Sequence, residues 1–512
     1  MRLSELIADW PDAAVAGPRD VEVAAIGHDS RSVAPGMLFV CIRGFRHDGH
    51  RFIPDALARG ASALVVQAGA VLAAPPPGVP VVSVPDTRLA LARAAVRFYG
   101  EPSRALQLVG ITGTNGKTTS AYLVEAILTA AGRPAGLLGT IEYRLGSRTF
   151  PGERTTPESA DLQRLLAEMR GLGARAAAME VSSHSLVLHR VEGCEFDVAV
   201  FTNLTQDHLD FHGTMEAYAD AKATLFRMLG RDRRKPGQAG AVLNADDPWA
   251  ERMAQAAAGA RVLRFSLEAP ADLRPRQLGL LDLAGIHATV DSPWGPFEIR
   301  SPLVGRHNLQ NILGAAGACL HLGVAPDVVA DGIRRLRAVP GRFEKVEAGQ
   351  PFGVVVDYAH TPDALERVLQ VARQYAPARV IALFGCGGDR DRTKRPVMGE
   401  IAARLADLVI VTSDNPRSEE PGAIIREIEA GAKKVGGPAE ARVTIPDRRE
   451  AIGAALARAR TGDLVVIAGK GHETYQVLRD RTIPFDDRVV AREALAALGH
   501  AASPQGSPPG AD

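Results

Sequence analysis

Cysteine is scarce: four in 512 residues, far apart at Cys41, Cys194, Cys319 and Cys386. No CxxC pair exists, so neither a disulfide framework nor a cysteine zinc site is supported, and the usage fits a reducing cytosol. An excess of one charge is also missing. Lys and Arg number 60 against 59 Asp and Glu, a formal net charge of +1. Proteins that bind polyanions usually carry a basic excess, so wholesale nucleic-acid binding is not expected. No apolar run is long enough for a membrane span. The longest uncharged stretch, Gly60 to Pro85, is broken by Pro75, Pro76, Pro77 and Pro80 well short of the ~20 residues a span needs. Glu5 and Asp9 interrupt the first apolar residues, so no secretory leader is expected. What is present is an ordinary globular composition, 46% hydrophobic and 23% charged, in a chain too long for one domain.

Three segments are expected. Residues 1–104 mix short β-rich runs (Met37–Ile42, Ala63–Val66, Val79–Val84) with turns and end in a helical pattern over Arg88–Tyr99, predicting a smaller α/β N-terminal domain. Residues 105–338 open on a buried-strand pattern, Leu106–Thr112, then a glycine-rich turn and a helix from Lys117 to Ala131. Ala174–Glu180 and Val198–Asn203 are two more apolar runs ending in polar residues, as in a P-loop ATPase-like parallel sheet. Residues 339–500 alternate strand-like runs (Gly353–Asp357, Val380–Phe384, Leu408–Ser413, Arg442–Ile445, Leu464–Ala468) with helical ones, which predicts βαβ units and a Rossmann-like parallel sheet. The tail, 501–512, is small, polar and proline-rich and is expected to be disordered.

The sequence Gly110–Thr119 (GITGTNGKTT) lies between a strand and a helix. Phosphate needs convergent backbone N–H donors and a cation. Glycines let the backbone wrap closely, the helix N-terminus adds a favourable dipole, and Lys117 reaches the terminal phosphates. Thr118 offers a hydroxyl suited to Mg²⁺. The loop is a variant, since Ile111 stands where a strict Walker A pattern has glycine. Glu180 and His208 follow the other two strands, on the side of the sheet where α/β folds bind ligands, so Thr118, Glu180 and His208 are expected around Mg²⁺. The i, i+4 pair His208 and His212 also suggests zinc, but no HExxH is present and the phosphate loop favours magnesium. Lys222, in the helical run Glu216–Met228, reads by itself as a solvated helix lysine.

In the third segment polar residues gather where strands stop. Asp357 to His360, Gly385 to Arg390, Asp414 to Arg417 and Gly469 to Glu473 each follow a strand. On one sheet edge, Arg390 and Arg417 with Asp414 and Glu473 suit a ligand bearing both carboxylates and ammonium groups.

Gly113–Thr119 (GTNGKTT), Glu180–His184 (EVSSH), Asn203–Asp210 (NLTQDHLD), Gly305–Asn311 (GRHNLQN), Pro340–Glu344 (PGRFE), Asp357–Asp363 (DYAHTPD) and Gly469–Glu473 (GKGHE) together resemble the Mur ligases. Within that family, Asp414-Asn415-Pro416-Arg417 resembles the signature of the members that add meso-diaminopimelate. The resemblance implies a cytoplasmic step of peptidoglycan synthesis, with UDP-N-acetylmuramoyl-L-alanyl-D-glutamate, meso-diaminopimelate and ATP as substrates, no nucleic-acid partner and a monomer. It implies that residues 1–104 bind the uridine end, 105–338 ATP and 339–500 the amino acid. Ser30, Phe45, Arg46, His47, Thr155, Thr156, Ser182 and Arg190 are then expected on the muramyl substrate. Gly113, Thr114, Asn115, Gly116, Lys117, Thr118, Thr119, Asn311, Arg342 and Asp357 are expected near ATP. Arg390, Asp414, Asn415, Pro416, Arg417, Gly469 and Glu473 are expected on diaminopimelate. Lys222 becomes a carbamylated lysine that joins Thr118, Glu180 and His208 around Mg²⁺, and Lys117, Lys222, Glu180 and His208 form the catalytic set. One departure is Leu188, where many members carry glutamine.

The reaction so implied forms an amide at the expense of ATP, through an acyl phosphate. Closure of the third segment over the second, about Pro340–Gly341, would keep water out. The alternatives are an L-lysine-adding relative, a folylpolyglutamate synthetase-like ligase, a P-loop switch or motor ATPase that makes no bond, and a nucleotide-sugar-binding regulator with a dead centre.

Overall fold

Runs of Val, Ile, Leu and Ala with no alternation become parallel strands covered on both faces. In the computed structural model, which describes residues 1–45, 47–70, 78–231 and 233–500, every residue of Val380–Phe384, Leu464–Ala468, Ala176–Glu180 and Val198–Phe201 is buried. The α/β expectation holds throughout. The chain divides into two compact units, one of Met1–Gly279, His287–Arg300 and His307–Leu336, the other of Leu280–Ile286, Ser301–Arg306 and Arg337–Asp512. Arg46, Pro75, Pro76, Pro77 and the tail expected to be disordered lie outside the described residues. Among the described residues no helix is long and apolar enough to cross a membrane.

The first unit contains two sheets. One has five strands in the order Ala14–Ala16, Val81–Val84, Ala63–Gln67, Met37–Val40, Ala25–Gly27, all parallel except the first. The other has eight, in the order Arg261–Phe265, Gly240–Asn244, Val198–Phe201, Gln107–Thr112, Ala176–Glu180, Ala135–Leu138, Glu142–Leu145, Arg148–Pro151. Its first six strands are parallel and the last two antiparallel. Leu108, Met179, Phe196, Phe201 and Phe226 lie in one core of this sheet.

The second unit contains a six-stranded sheet in the order Glu344–Lys345, Gly353–Asp357, Leu464–Ala468, Val380–Phe384, Leu408–Val411, Arg442–Thr444. Only the first strand is antiparallel. Separate apolar clusters cover its faces, one around Phe384, Val466 and Ile428, the other around Ile381, Ile467 and Ile452. The alternation of strands and helices expected for this segment is present, with strand ends shifted by a residue or two.

Several elements lie outside the sequence-based expectation. A three-stranded sheet runs Arg274–Asp282, Gly285–Asp291, Phe297–Ser301. Its last strand alternates buried and exposed residues, the mark of a sheet with one wet face. Pro340–Gly341, expected to be a hinge, is closely packed. A Cβ on Gly341 would lie 2.2 Å from the His472 nitrogen, and the Gly341 carbonyl accepts from the Tyr358 N–H at 2.9 Å.

Candidate active site

The parallel register of the eight-stranded sheet brings three sequence motifs to one edge. Glu180 is level with Ile111, and Phe201 with Thr112. The glycine-rich loop therefore emerges between Glu180 on one side and Asn203 on the other. The loop is held from the Asn203 side. The Asn203 carbonyl accepts from the Thr114 N–H at 2.8 Å, and its Oδ1 accepts from the Asn115 N–H at 3.0 Å. Thr202 Oγ1 donates to the Asn115 carbonyl at 2.6 Å.

Two glycines are required by space as well as by conformation. A Cβ on Gly113 would lie 1.9 Å from Thr202 Oγ1, and one on Gly116 2.3 Å from Asn311 Oδ1. Gly116 has φ 86° and precedes the helix Lys117–Ala130, which starts where predicted. Asn311, expected near ATP, thus packs on the loop. Gly116→Ala forces a side chain into both the clash and the left-handed region, at about 1–2 kcal/mol for the conformation alone. The expected result is a lower melting temperature and a KM for ATP raised by about tenfold or more, read by ATP titration of phosphate release. An unchanged KM would show that the loop does not contact nucleotide.

Lys222 is the main correction to the residue-level reading. It is not solvated: only 1% of it is exposed. Its Nζ donates to the Gly113 carbonyl at 2.8 Å and lies 4.4 Å from the centre of the Tyr218 ring. Lys117 Nζ donates to the same carbonyl at 2.9 Å and to that of Thr114 at 2.8 Å. Burial, and then the neighbouring Lys117 charge, push the Lys222 amine well below its ordinary value of 10.5. A neutral, buried amine is the form that adds CO₂.

Glu180 is buried, and its carboxylate accepts from Thr140 N at 2.8 Å and Thr140 Oγ1 at 3.2 Å. Thr140 carries no motif and was missed in sequence; only its place after the neighbouring strand Ala135–Leu138 selects it. The residues expected on the muramyl peptide cluster beside Glu180. Thr156 Oγ1 donates to the Glu180 carbonyl at 2.9 Å, and the Ser182 N–H donates to Thr156 Oγ1 at 3.1 Å. Arg190 donates to the Thr156 carbonyl at 3.2 Å and pairs with Glu158 at 2.8 Å. Thr155 Oγ1 is 3.0 Å from Thr140 Oγ1.

His208 is half-exposed, with φ 53°, and its ring meets His184 edge-on at 4.8 Å. His184 stacks on Phe211 at 4.2 Å, and Phe211 meets Phe45 at 5.8 Å. Phe45 is 75% exposed, an open aromatic beside the cluster. Desolvation lowers His184 and His208 and takes His212 down to about 4, so these imidazoles are neutral at pH 7 and keep a lone pair. In the smaller sheet Ser30 and Phe45 follow adjacent parallel strands. Asp29 caps the turn at Ser30, accepting from Arg31 N at 2.9 Å. His47 lies in the same loop as Phe45, and its carbonyl accepts from Gly44 N at 2.9 Å.

These donors fit magnesium. Thr118 stands in the first turn of the phosphate-loop helix and Glu180 at the neighbouring strand end. Among the described residues no three His, Cys, Asp or Glu side chains gather as a closed all-protein metal site would need. Mg²⁺ keeps several waters and is held by one or two carboxylates plus phosphates.

In the second unit Asp357 is level with Ala468, Leu383 with Ile467 and Phe384 with Val411. The four polar strand ends therefore open on one edge. Asp357 accepts from Phe343 N at 2.7 Å and Ala359 N at 2.9 Å, and the Arg342 guanidinium lies 5.3 Å from the Tyr358 ring. A Cβ on Gly469 would lie 2.6 Å from Asp414 Oδ2, so the GKGHE and DNPR loops touch. Glu473 Oε2 accepts from Asn415 Nδ2 and from Lys470 Nζ, both at 2.9 Å. Lys470 is fully buried. Glu473, one of the two acids expected to neutralise a ligand ammonium, therefore already has a lysine partner, whereas Asp414 Oδ1 takes a backbone bond from Asn415 N at 2.6 Å. Gln476 Nε2 supports Asp414 by donating to its carbonyl at 2.6 Å. Arg417 has φ 53° and donates to the Gly388 carbonyl at 2.7 Å, and a Cβ on Gly387 would lie 2.9 Å from Arg417 Nη1 and 3.8 Å from Arg390 Cγ, so both arginines border that glycine. A fully buried Arg448–Asp487 pair at 2.6 Å braces the edge, Arg448 donating to the Ser413 carbonyl at 3.3 Å and that of Ala468 at 3.0 Å.

Three family models match successive parts of the chain. Residues 22–99 match the Mur ligase family catalytic domain, 111–319 the Mur ligase middle domain, and 341–471 the Mur ligase glutamate ligase domain. A UDP-N-acetylmuramoyl-L-alanyl-D-glutamate–2,6-diaminopimelate ligase from Geobacillus thermodenitrificans is 46% identical, covering 97% of this chain and 99% of its own. One of the same name from Solibacter usitatus is 50% identical over 94% of each chain. A solved structure of a UDP-N-acetylmuramoyl-L-alanyl-D-glutamate–2,6-diaminopimelate ligase is 34% identical, with TM-score 0.67, covering 98% of this chain and 100% of that one. The chain belongs to the Mur ligase family.

Proposed function

We infer that the chain is an ATP-dependent, ADP-forming ligase that joins meso-diaminopimelate to UDP-N-acetylmuramoyl-L-alanyl-D-glutamate, a cytoplasmic step in building the peptidoglycan precursor. The observation that carries the choice of amino acid is the meeting of Asp414–Arg417 with Gly469–Glu473 and Gly385–Arg390 on one sheet edge. Two carboxylates on the ligand match Arg390 and Arg417, and Asp414 takes an ammonium. In this reading residues 1–104 hold the uridine end, 105–338 the nucleotide and 339–500 the amino acid.

The D-glutamyl γ-carboxylate attacks the γ-phosphorus of ATP, and ADP leaves. An amine of diaminopimelate then attacks the acyl carbon of the acyl phosphate, and inorganic phosphate leaves. Bringing two anions together is the physical difficulty. Lys117 exchanges the Gly113 and Thr114 carbonyls for phosphate oxygens and screens that repulsion. Thr118, Glu180, His208 and a carbamate on Lys222 would hold magnesium, which supplies further screening when bound. The carbamate makes chemical sense here, because an ammonium at Lys222 would repel a cation whereas a carbamate offers it oxygen. Thr155, Thr156, Ser182 and Arg190 orient the muramyl peptide toward Glu180.

Phosphate release is expected only with ATP, magnesium, the muramyl dipeptide and diaminopimelate all present, with ADP as the nucleotide product. Brisk hydrolysis of ATP by the enzyme alone would return the motor or switch ATPase, and AMP as product would exclude an acyl phosphate. Equal use of L-lysine would leave the ligase and overturn the amino acid.

A further inference from the structure

The loops bearing Arg390 and Arg417 are locked together by neighbouring residues not assigned above to substrate, nucleotide or metal. Gly385–Arg390 and Asp414–Arg417 follow adjacent parallel strands, Val380–Phe384 and Leu408–Val411. Both loops contain a residue other than glycine in the left-handed region, Asp389 and Arg417, each with φ 53°. Such backbone persists only where its surroundings hold it. Here they do. Asp389 N donates to Glu419 Oε1 at 2.7 Å, Ser418 Oγ donates to Asp389 Oδ1 at 2.6 Å, and Ser418 N donates to Asp389 Oδ2 at 3.2 Å. The Gly388 N–H donates to the Asn415 carbonyl at 2.9 Å, and Arg417 returns a bond to the Gly388 carbonyl at 2.7 Å. A Cβ on Gly388 would lie 1.9 Å from the Pro416 carbonyl oxygen, so the backbones are in direct contact.

Beneath this clasp lies Arg395, fully buried. It grips both oxygens of Glu419, at 2.8 and 2.9 Å, and Glu427 at 2.9 Å, and it reaches the Gly387 carbonyl at 3.3 Å. The fork geometry of guanidinium fixes the Glu419 carboxylate in plane, which lysine would not do. Glu419 in turn fixes Asp389 next to Arg390, and Ser418 next to Arg417.

We propose that Arg395, Glu419, Asp389 and Ser418 are positioning residues for amino-acid selection, a lock that sets the spacing of Arg390 and Arg417 to the two carboxylates of the incoming amino acid. The proposal rests on the reading that those two arginines take diaminopimelate. Its consequence is that selectivity resides partly in residues that never touch the substrate.

The test is Glu419→Gln in the full chain, which keeps the shape of the side chain and removes its charge. The expected result is a KM for diaminopimelate raised by about tenfold, the loss of one charge-assisted hydrogen bond, with kcat and the KM for ATP nearly unchanged. The preference for diaminopimelate over L-lysine should shrink. Amide hydrogen exchange should quicken at 385–390 and 414–419 together and nowhere in the first unit. Should Glu419→Gln fail to fold, Ser418→Ala, which deletes one exposed hydroxyl, takes its place with a smaller effect in the same direction. Exchange unchanged in both loops, or a KM and selectivity equal to wild type, overturns the lock, as does an equal fall in every kinetic constant. A wild-type enzyme that does not use diaminopimelate overturns the proposed function instead, and the exchange data then decide the lock by themselves: quickened exchange in both loops supports it and unchanged exchange rejects it.

Discussion

Arg417→Ala should lower kcat/KM for meso-diaminopimelate by on the order of 10²–10³, while the KM for ATP hardly moves. The guanidinium is proposed to pair with the carboxylate that distinguishes diaminopimelate from lysine. Removing one partner from a desolvated pair costs about 3–5 kcal/mol, and each 1.4 kcal/mol is about tenfold. Arg417 is only half-buried, so solvent screening pulls the effect toward the low end. One of its donors is committed to the Gly388 carbonyl at 2.7 Å. That bond holds the guanidinium in place, so under the proposed pairing little ordering is left to do on binding. L-Lysine should be a poor substrate for the wild type, because it leaves the half-buried Arg417 guanidinium without its carboxylate. In the variant the preference should shrink even though both amino acids react slowly. Steady-state kinetics with both amino acids measure this, and an unchanged ratio in Arg417→Ala would move the specificity contact elsewhere.

Lys222→Ala should lower kcat by on the order of 10²–10³, the usual size for removing one preorganised electrostatic group, with partial rescue by a small added carboxylate. Stability should move the other way. Lys222 lies in the sheet-facing core with its amine held well below 10.5. Between that lowered value and 10.5 the unfolded chain binds the more protons, so this residue makes wild-type stability rise with pH across the window. Lys222→Met, which fills the space without an amine, removes that slope. It should melt higher than the wild type at about pH 7 in CO₂-free buffer, with the gap closing by about pH 10. Full turnover in Lys222→Ala would remove the lysine from the catalytic set, and a Lys222→Met protein that melts lower than wild type at neutral pH would overturn the destabilising buried amine.

The fold class and two motif-bearing sheet edges could be read from residue order, because their signals are local. A glycine turn between an apolar run and a helix specifies the phosphate loop through backbone freedom alone, and Gly116 at φ 86° is where that freedom is used. Uninterrupted apolar runs such as Val380–Phe384 imply strands covered on both faces, and their alternation with helices implies parallel neighbours. Parallel order puts the C-terminal ends of a sheet's strands on one edge, so residue order alone puts Glu180 at the edge of one sheet and Asp357, Asp414 and Gly469 at the edge of another.

What tertiary structure decided is which charges meet and which are taken out of water. Lys222 sits on a helix whose sequence is mixed, and only packing against Tyr218 and the Gly113 carbonyl buries it. Thr140 has no local signature, yet it meets Glu180 40 residues along the chain. Arg395, Glu419 and Glu427 read as ordinary helix charges, and the pairing of the helices Lys394–Leu405 and Pro421–Lys434 beside two loops makes them a buried network. Lys470 shares Glu473 with Asn415, whereas Asp414 is held by the Asn415 backbone. Periodicity and turn chemistry are written in neighbouring residues, so the chain itself determined its strands, its phosphate loop and its family. Desolvation and ion pairing depend on atoms brought together from distant positions, so the state of Lys222 and the aim of Arg417 came from the fold alone.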